Sequence, residues 1–140
     1  MEKHGYGIDV RKPIEFLTAM TEIFCGGSYI SFEGDLSQSS FRSVEGSSTE
    51  PRGMMQRNTI SPIYDFVVLP LEQDTQKVII QTLPRIGLRS RVAHVLIERD
   101  NELKMAAYDW FYPYLVAVSG DIDANLLDRM LEAKIIRAYK

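Results

Sequence analysis

The chain is poor in the residues that build covalent or metallic scaffolds. It holds one cysteine, Cys25, so no disulfide can form within it. Two histidines complete the set of soft ligands, too few for a Cys/His zinc site, and neither a metal nor a cofactor is expected. Long apolar runs are missing as well. Phe66-Val67-Val68-Leu69-Pro70-Leu71 is among the longest, far below the roughly 18 residues of a membrane helix. The opening Met1-Glu2-Lys3-His4-Gly5 carries no apolar stretch of the secretory kind, so a cytoplasmic protein without membrane contact is expected. Surplus positive charge is absent too. Sixteen Lys and Arg stand against 19 Asp and Glu, a net charge of −3, which disfavours nucleic acid as a partner. The chain also lacks a glycine-rich phosphate loop, a Gly-x-Ser-x-Gly elbow, a His-Glu-x-x-His pair and a calcium loop. Gly5-Tyr6-Gly7 is only a fragment of a dinucleotide fingerprint, and no βαβ unit follows it.

What is present is an ordinary globular composition. The 140 residues are 45% hydrophobic and 25% charged, enough for one domain with its own core. Residues 1–12 show no periodicity and read as a loosely held arm. Pro13 then sits where a helix tolerates a missing amide hydrogen. Phe16, Leu17, Met20, Ile23 and Phe24 recur at three- and four-residue spacing, and Gly26-Gly27 ends the run. A helix from Pro13 to about Cys25 is predicted.

Tyr29–Glu33 reads as a short strand with Ile30 and Phe32 on one face. Residues 35–59 follow as a long polar loop carrying Ser37, Ser39, Ser40, Ser43, Ser47 and Ser48, within which Phe41 and Val44 could mark a missed strand. Ile63–Leu69 reads as an interior strand closed by Pro70. Asp74 could cap a helix burying Val78, Ile79 and Leu83, although the run Val78-Ile79-Ile80 also permits a strand. Val92–Arg99 and Glu102–Trp110 flank Asp100-Asn101, a pair suited to a tight hairpin turn. That register sets Arg99 opposite Glu102, Leu96 opposite Met105, Val95 opposite Ala106 and His94 opposite Ala107, with Asp109 one diagonal away. Tyr114–Val118 is a candidate third strand. Asp121 and Asp123 open a helix whose stripe is Leu126, Leu127, Met130 and Leu131. Its tail, 135–139, either extends it or forms an edge strand. The result is an α+β domain spanning 1–140, a mainly antiparallel sheet with helices packed on one face.

Three groups of residues could carry function. His94 and Asp109 are the nearest approach to an acid–base pair, as in a small hydrolase, because a diagonal carboxylate would orient the imidazole. No partnered nucleophile accompanies them, and a structural histidine is the plainer reading. Cys25, at a helix C-terminus, lacks the electropositive setting of a reactive thiol. Arg85, Arg89 and Arg91 form a basic loop that could grip phosphate, nucleic acid or an acidic partner, or else stay solvated. Tyr108, Trp110, Phe111, Tyr112 and Tyr114 are five of the chain's fourteen aromatics within seven residues. On a strand they cannot all enter one core, and Trp, Tyr and Arg dominate protein-binding hot spots. The reading that follows is a non-enzymatic, protein-binding module of the immunity or inhibitor kind. Arg85, Arg89, Arg91, Trp110 and Tyr112 are its binding residues, and its partner is another protein or a second copy of the chain.

Overall fold

The computed structural model describes residues 5–140. In chain order the elements are β1 (Tyr6–Val10), α1 (Pro13–Ile23), β2 (Ser28–Gly34), β3 (Asp65–Leu71), α2 (Gln73–Thr82), a single turn α3 (Leu88–Arg91), β4 (Val92–Arg99), β5 (Glu102–Ala107), β6 (Val116–Val118), α4 (Ala124–Glu132) and β7 (Ile136–Tyr139). The seven strands form one sheet in the order β3-β2-β4-β5-β6-β1-β7. Every neighbouring pair is antiparallel. The expected α+β architecture is present, and the helices gather on one face. Phe16, Leu17 and Met20 of α1, Ile79 of α2, Leu88 of α3, and Leu127 and Met130 of α4 share a single apolar cluster with Ile8, Ile30, Phe32, Val95 and Ile97.

α1 forms where its stripe and Pro13 place it. α2 is the helix, not the strand that its β-branched run also allowed. Thr75, Ile79 and Thr82 recur at helical spacing and are buried, whereas a strand would alternate its faces. Asp123 caps α4, its side chain accepting from the Asn125 amide. The chain then turns back at Lys134 (φ 60°) to make the edge strand β7.

Four expectations are corrected. Within the arm expected over residues 1–12, residues 6–10 are not loose but a strand between β6 and β7, with Ile8 and Val10 buried, while residues 1–4 lie outside the described residues. The alternation of Tyr6, Ile8 and Val10 was legible, and the flanking glycines obscured it. β3 is an edge strand, not an interior one. Val68 exchanges backbone bonds of 2.7 and 2.9 Å with Ser48 on its outer side. Pro70, two residues on, therefore turns its donor-less nitrogen away from β2 and costs no ladder bond. Phe41 and Val44 mark no strand; Phe41–Ser43 is a 3-10 turn. Finally, β5 ends at Ala107, and a bulge between Ile97 and Glu98 shifts the hairpin register. Arg99 pairs with Glu102 as expected. Beyond the bulge, Ile97 meets Met105, Leu96 meets Ala106 and Val95 meets Ala107. A one-residue bulge is invisible to a register counted from the turn.

The polar segment after β2 wraps the β3 edge. Leu36 and Phe41 pack on the helical face, where Phe41 stacks on Phe32 at 4.5 Å. Ser48 lies along the edge, and Met55 is buried on the opposite face with Phe66, Val68, Leu96 and Ala106. The Asp65 carboxylate ties both ends of the wrap, accepting from the Leu36 amide and from Arg42. The wrap starts at Gly34, where β2 bulges against β4. A Cβ at Gly34 would lie 2.1 Å from the Arg91 carbonyl oxygen, so backbone must move to admit any side chain. Gly34→Ala is expected to lose about 1–3 kcal/mol in urea unfolding, the range for a strained backbone site.

Candidate functional site

Among the described residues, the second face of the sheet carries no helix. Alternation places Tyr29, Ser31 and Glu33 of β2 there, with His94, Leu96 and Glu98 of β4. Glu33 and His94 are direct cross-strand partners, and both are buried. Two ionisable side chains under a protein surface need partners, and here the loops supply them. Glu33 accepts from the amides of Asn58 (2.8 Å) and Thr59 (3.1 Å), one on each oxygen. His94 Nε2 lies 2.7 Å from Thr59 Oγ1, and its Nδ1 accepts from the Asp109 amide at 3.2 Å. A ring nitrogen that accepts from an amide carries no proton, so Nε2 is the protonated one and donates to Thr59.

The predicted His94–Asp109 acid–base pair is therefore not made side chain to side chain. Their contact runs through the Asp109 backbone, because the bulge shifts the register and the strand ends before Asp109. Both imidazole nitrogens are engaged in holding loops, as the plainer structural reading of His94 expects.

The aromatic run lies in the connection between β5 and β6. Asp109, Trp110 and Phe111 are consecutive left-handed residues, with φ of 51°, 57° and 61°, and Tyr114 is left-handed at 63°. L-residues adopt this conformation singly, at roughly 1–2 kcal/mol each. The turn is held from several sides. Tyr112 N–H donates to the Asp109 carbonyl, Trp110 N–H to Ala93, and Tyr108 N–H to Leu115. Phe111 fills the main core at 1% exposure. With Phe111 inward, its neighbours point out: Trp110 is 37% and Tyr112 63% exposed. Trp110 meets Tyr64 edge-on at 6.2 Å, which joins this turn to the loop pinned by Glu33. That loop exposes Ile60 at 85% and Ile63 at 78%. Sequence reasoning missed these two isoleucines by assigning Ile63 to a strand.

The arginines share this end of the sheet, where β2, β5 and β1 finish and β4 begins. Their partners differ. Arg89 donates to the carbonyls of Val10 (2.9 Å) and Arg11 (3.2 Å), fastening α3 to the end of β1. Arg91 lies 4.0 Å from Asp35, and Arg85 is exposed on the turn before α3. Cys25 is half-buried just past α1.

Beside the wrap, the bare strip of β5 and β6 floors a groove of about 830 Å³ bordered by Met54 and Tyr108. Burial pushes the Tyr108 phenol up from its ordinary pKa. Lys104 is raised by its bond to Asp121 (2.6 Å) and next by that to Glu102 (3.0 Å). Among the described residues no group of His, Cys, Asp and Glu is placed to hold a metal, and no helix is long and apolar enough to cross a membrane. Comparison with protein-family models, with curated proteins and with solved structures finds no match.

His94→Ala should cost about 2–4 kcal/mol in urea unfolding, since it leaves the Asp109 amide and the Thr59 hydroxyl without their partner. Asp109→Gly should be within about 1 kcal/mol of the wild type or more stable, because glycine adopts φ 51° without strain. A working carboxylate–imidazole pair would make Asp109→Gly the costly change instead. The raised Lys104 pKa gives a stabilisation complete below the unfolded-state value and lost as pH rises through the folded one. The stability gap between wild type and Lys104→Met should thus persist at neutral pH and close in strong alkali, and also in acid, where Asp121 and Glu102 are protonated.

Proposed function

We propose that the chain is a non-enzymatic module that binds another protein through the apolar surface made by Ile60, Ile63, Trp110 and Tyr112. One observation carries this reading. The three most exposed large apolar side chains among the described residues, Ile60, Ile63 and Tyr112, stand with Trp110 on two loops joined by the Trp110–Tyr64 contact and fastened to the sheet through Glu33 and His94. An aromatic surface held in advance loses little conformational freedom when a partner covers it. Trp and Tyr anchors with arginine close by are the residue types on which such interfaces concentrate their energy. Asp35, Asp65 and Arg91 at the same end of the sheet supply a charged rim. The immunity or inhibitor role is the form most consistent with a small acidic chain offering one compact apolar surface. A second copy of the chain is the competing occupant.

The test is affinity capture from the native lysate, with light scattering of the purified chain. Ile63→Ser should stay folded within about 1 kcal/mol of wild type, its position being exposed, and Trp110→Ala, which gives up the Tyr64 contact, should stay folded at a cost of about 1–3 kcal/mol. Each should lose at least tenfold in capture of one stoichiometric protein, while Lys77→Ala on the outer side of α2 retains it. A dimer dissolved by Ile63→Ser would assign the surface to self-association. Equal capture by all variants, or none by the wild type, would overturn the proposal.

A further inference from the structure

Two glutamates are buried on the helix-free face, and their surroundings differ. Glu33 has a backbone amide on each oxygen. Glu98, 3% exposed, has only the Met54 amide at 3.3 Å on Oε1, and its Oε2 is buried with no hydrogen-bond partner among the described residues. A carboxylate oxygen in that position is costly, and native structures rarely leave one so. The turn pressing on Glu98 is Arg52–Met55, closed by bonds of 3.0 and 2.7 Å between its end residues. Gly53, left-handed at φ +54°, makes the close approach possible, since a Cβ there would lie 2.4 Å from Glu98 Oε1. Arg52 stacks over the Tyr29 ring at 3.6 Å, and Tyr29 is the cross-strand partner of Glu98.

Glu98 lies beneath the Arg52–Met55 turn and is not itself on the groove's lining, but two of its neighbours are. Met54, which donates to it, and Leu103, its partner on β5, both line that cavity. Ala106 and Ala117 floor it and Tyr108 walls it. Its volume, about 830 Å³, suits a small organic molecule. Among the described residues, the only cation on its lining, Lys104, is bonded to Glu102 and Asp121.

We propose that this groove binds a small organic cation, an amine or amidinium on an apolar body. Its N–H group donates to Glu98 Oε2 as the Arg52–Met55 turn lifts, and its body lies on Ala106, Ala117 and Leu103 against Tyr108. The proposal is independent of the aromatic surface at the end of the sheet. Charge-assisted bonds to a desolvated carboxylate are strong, and an apolar body alone would gain nothing from Glu98.

The experiment titrates the isotope-labelled full chain with benzylamine, benzamidine and, as the uncharged control, benzyl alcohol, following backbone amide NMR shifts. Benzylamine or benzamidine should move the amides of Gly53, Met54, Leu103, Ala106 and Tyr108, at least tenfold more tightly than benzyl alcohol. Glu98→Gln should abolish that preference. If Glu98→Gln does not fold, the amine-to-alcohol ratio on the wild type alone decides. Equal response to amine and alcohol, as a resident water on Oε2 would give, overturns the proposal. So does a shift pattern elsewhere, no shift at millimolar amine, or an unchanged preference in Glu98→Gln.

Discussion

A carboxylate and an imidazole face each other across β2 and β4, on the side of the sheet that has no helices. Left to solvent, Glu33 and His94 would be unexceptional. Buried, they require donors and an acceptor. The amides of Asn58 and Thr59, the Thr59 hydroxyl and the Asp109 amide meet that need. Two loops far apart in sequence are brought to one place by this pair. The cover over the second face depends on it, because the wrap from Gly34 to Tyr64 has no strand or α-helix of its own.

The same constraint explains the left-handed turn. Asp109 must present its amide to His94, Trp110 its amide to Ala93, and Phe111 its ring to the core. Meeting all three in consecutive residues forces a backbone conformation that L-residues avoid. Strain of this kind persists only where the surroundings over-determine it. Its consequence is geometric: with Phe111 inward, Trp110 and Tyr112 face out, and Trp110 meets Tyr64 of the loop that exposes Ile60 and Ile63. The proposed binding surface is thus the outer side of a structural clamp.

Legibility in the sequence followed local physics. The helix from Pro13 and the Asp100-Asn101 turn, with φ of 55° and 62°, were readable because caps and turn residues act over a few positions. The fold class followed from them. The Glu33–His94 pair was not readable. A glutamate opposite Ile30 and Phe32 in a strand reads as solvent-facing, and only a long-range wrap makes it buried. The bulge at Ile97–Glu98 moved His94 away from the Asp109 side chain by one register step. Trp110 and Tyr112 stood out by composition, whereas Ile60 and Ile63 gave no signal beyond ordinary hydrophobicity. Glu98 gave none, since an unpartnered oxygen is a property of packing.

Native-state amide hydrogen exchange on the intact chain tests the clamp most directly, because it reads each donor separately. The amides of Asn58, Thr59 and Asp109 should exchange with protection matching that of the β2 and β4 amides, although all three lie in loops. Exchange of those amides at the rates of unstructured chain, with β2 and β4 still protected, would contradict the account.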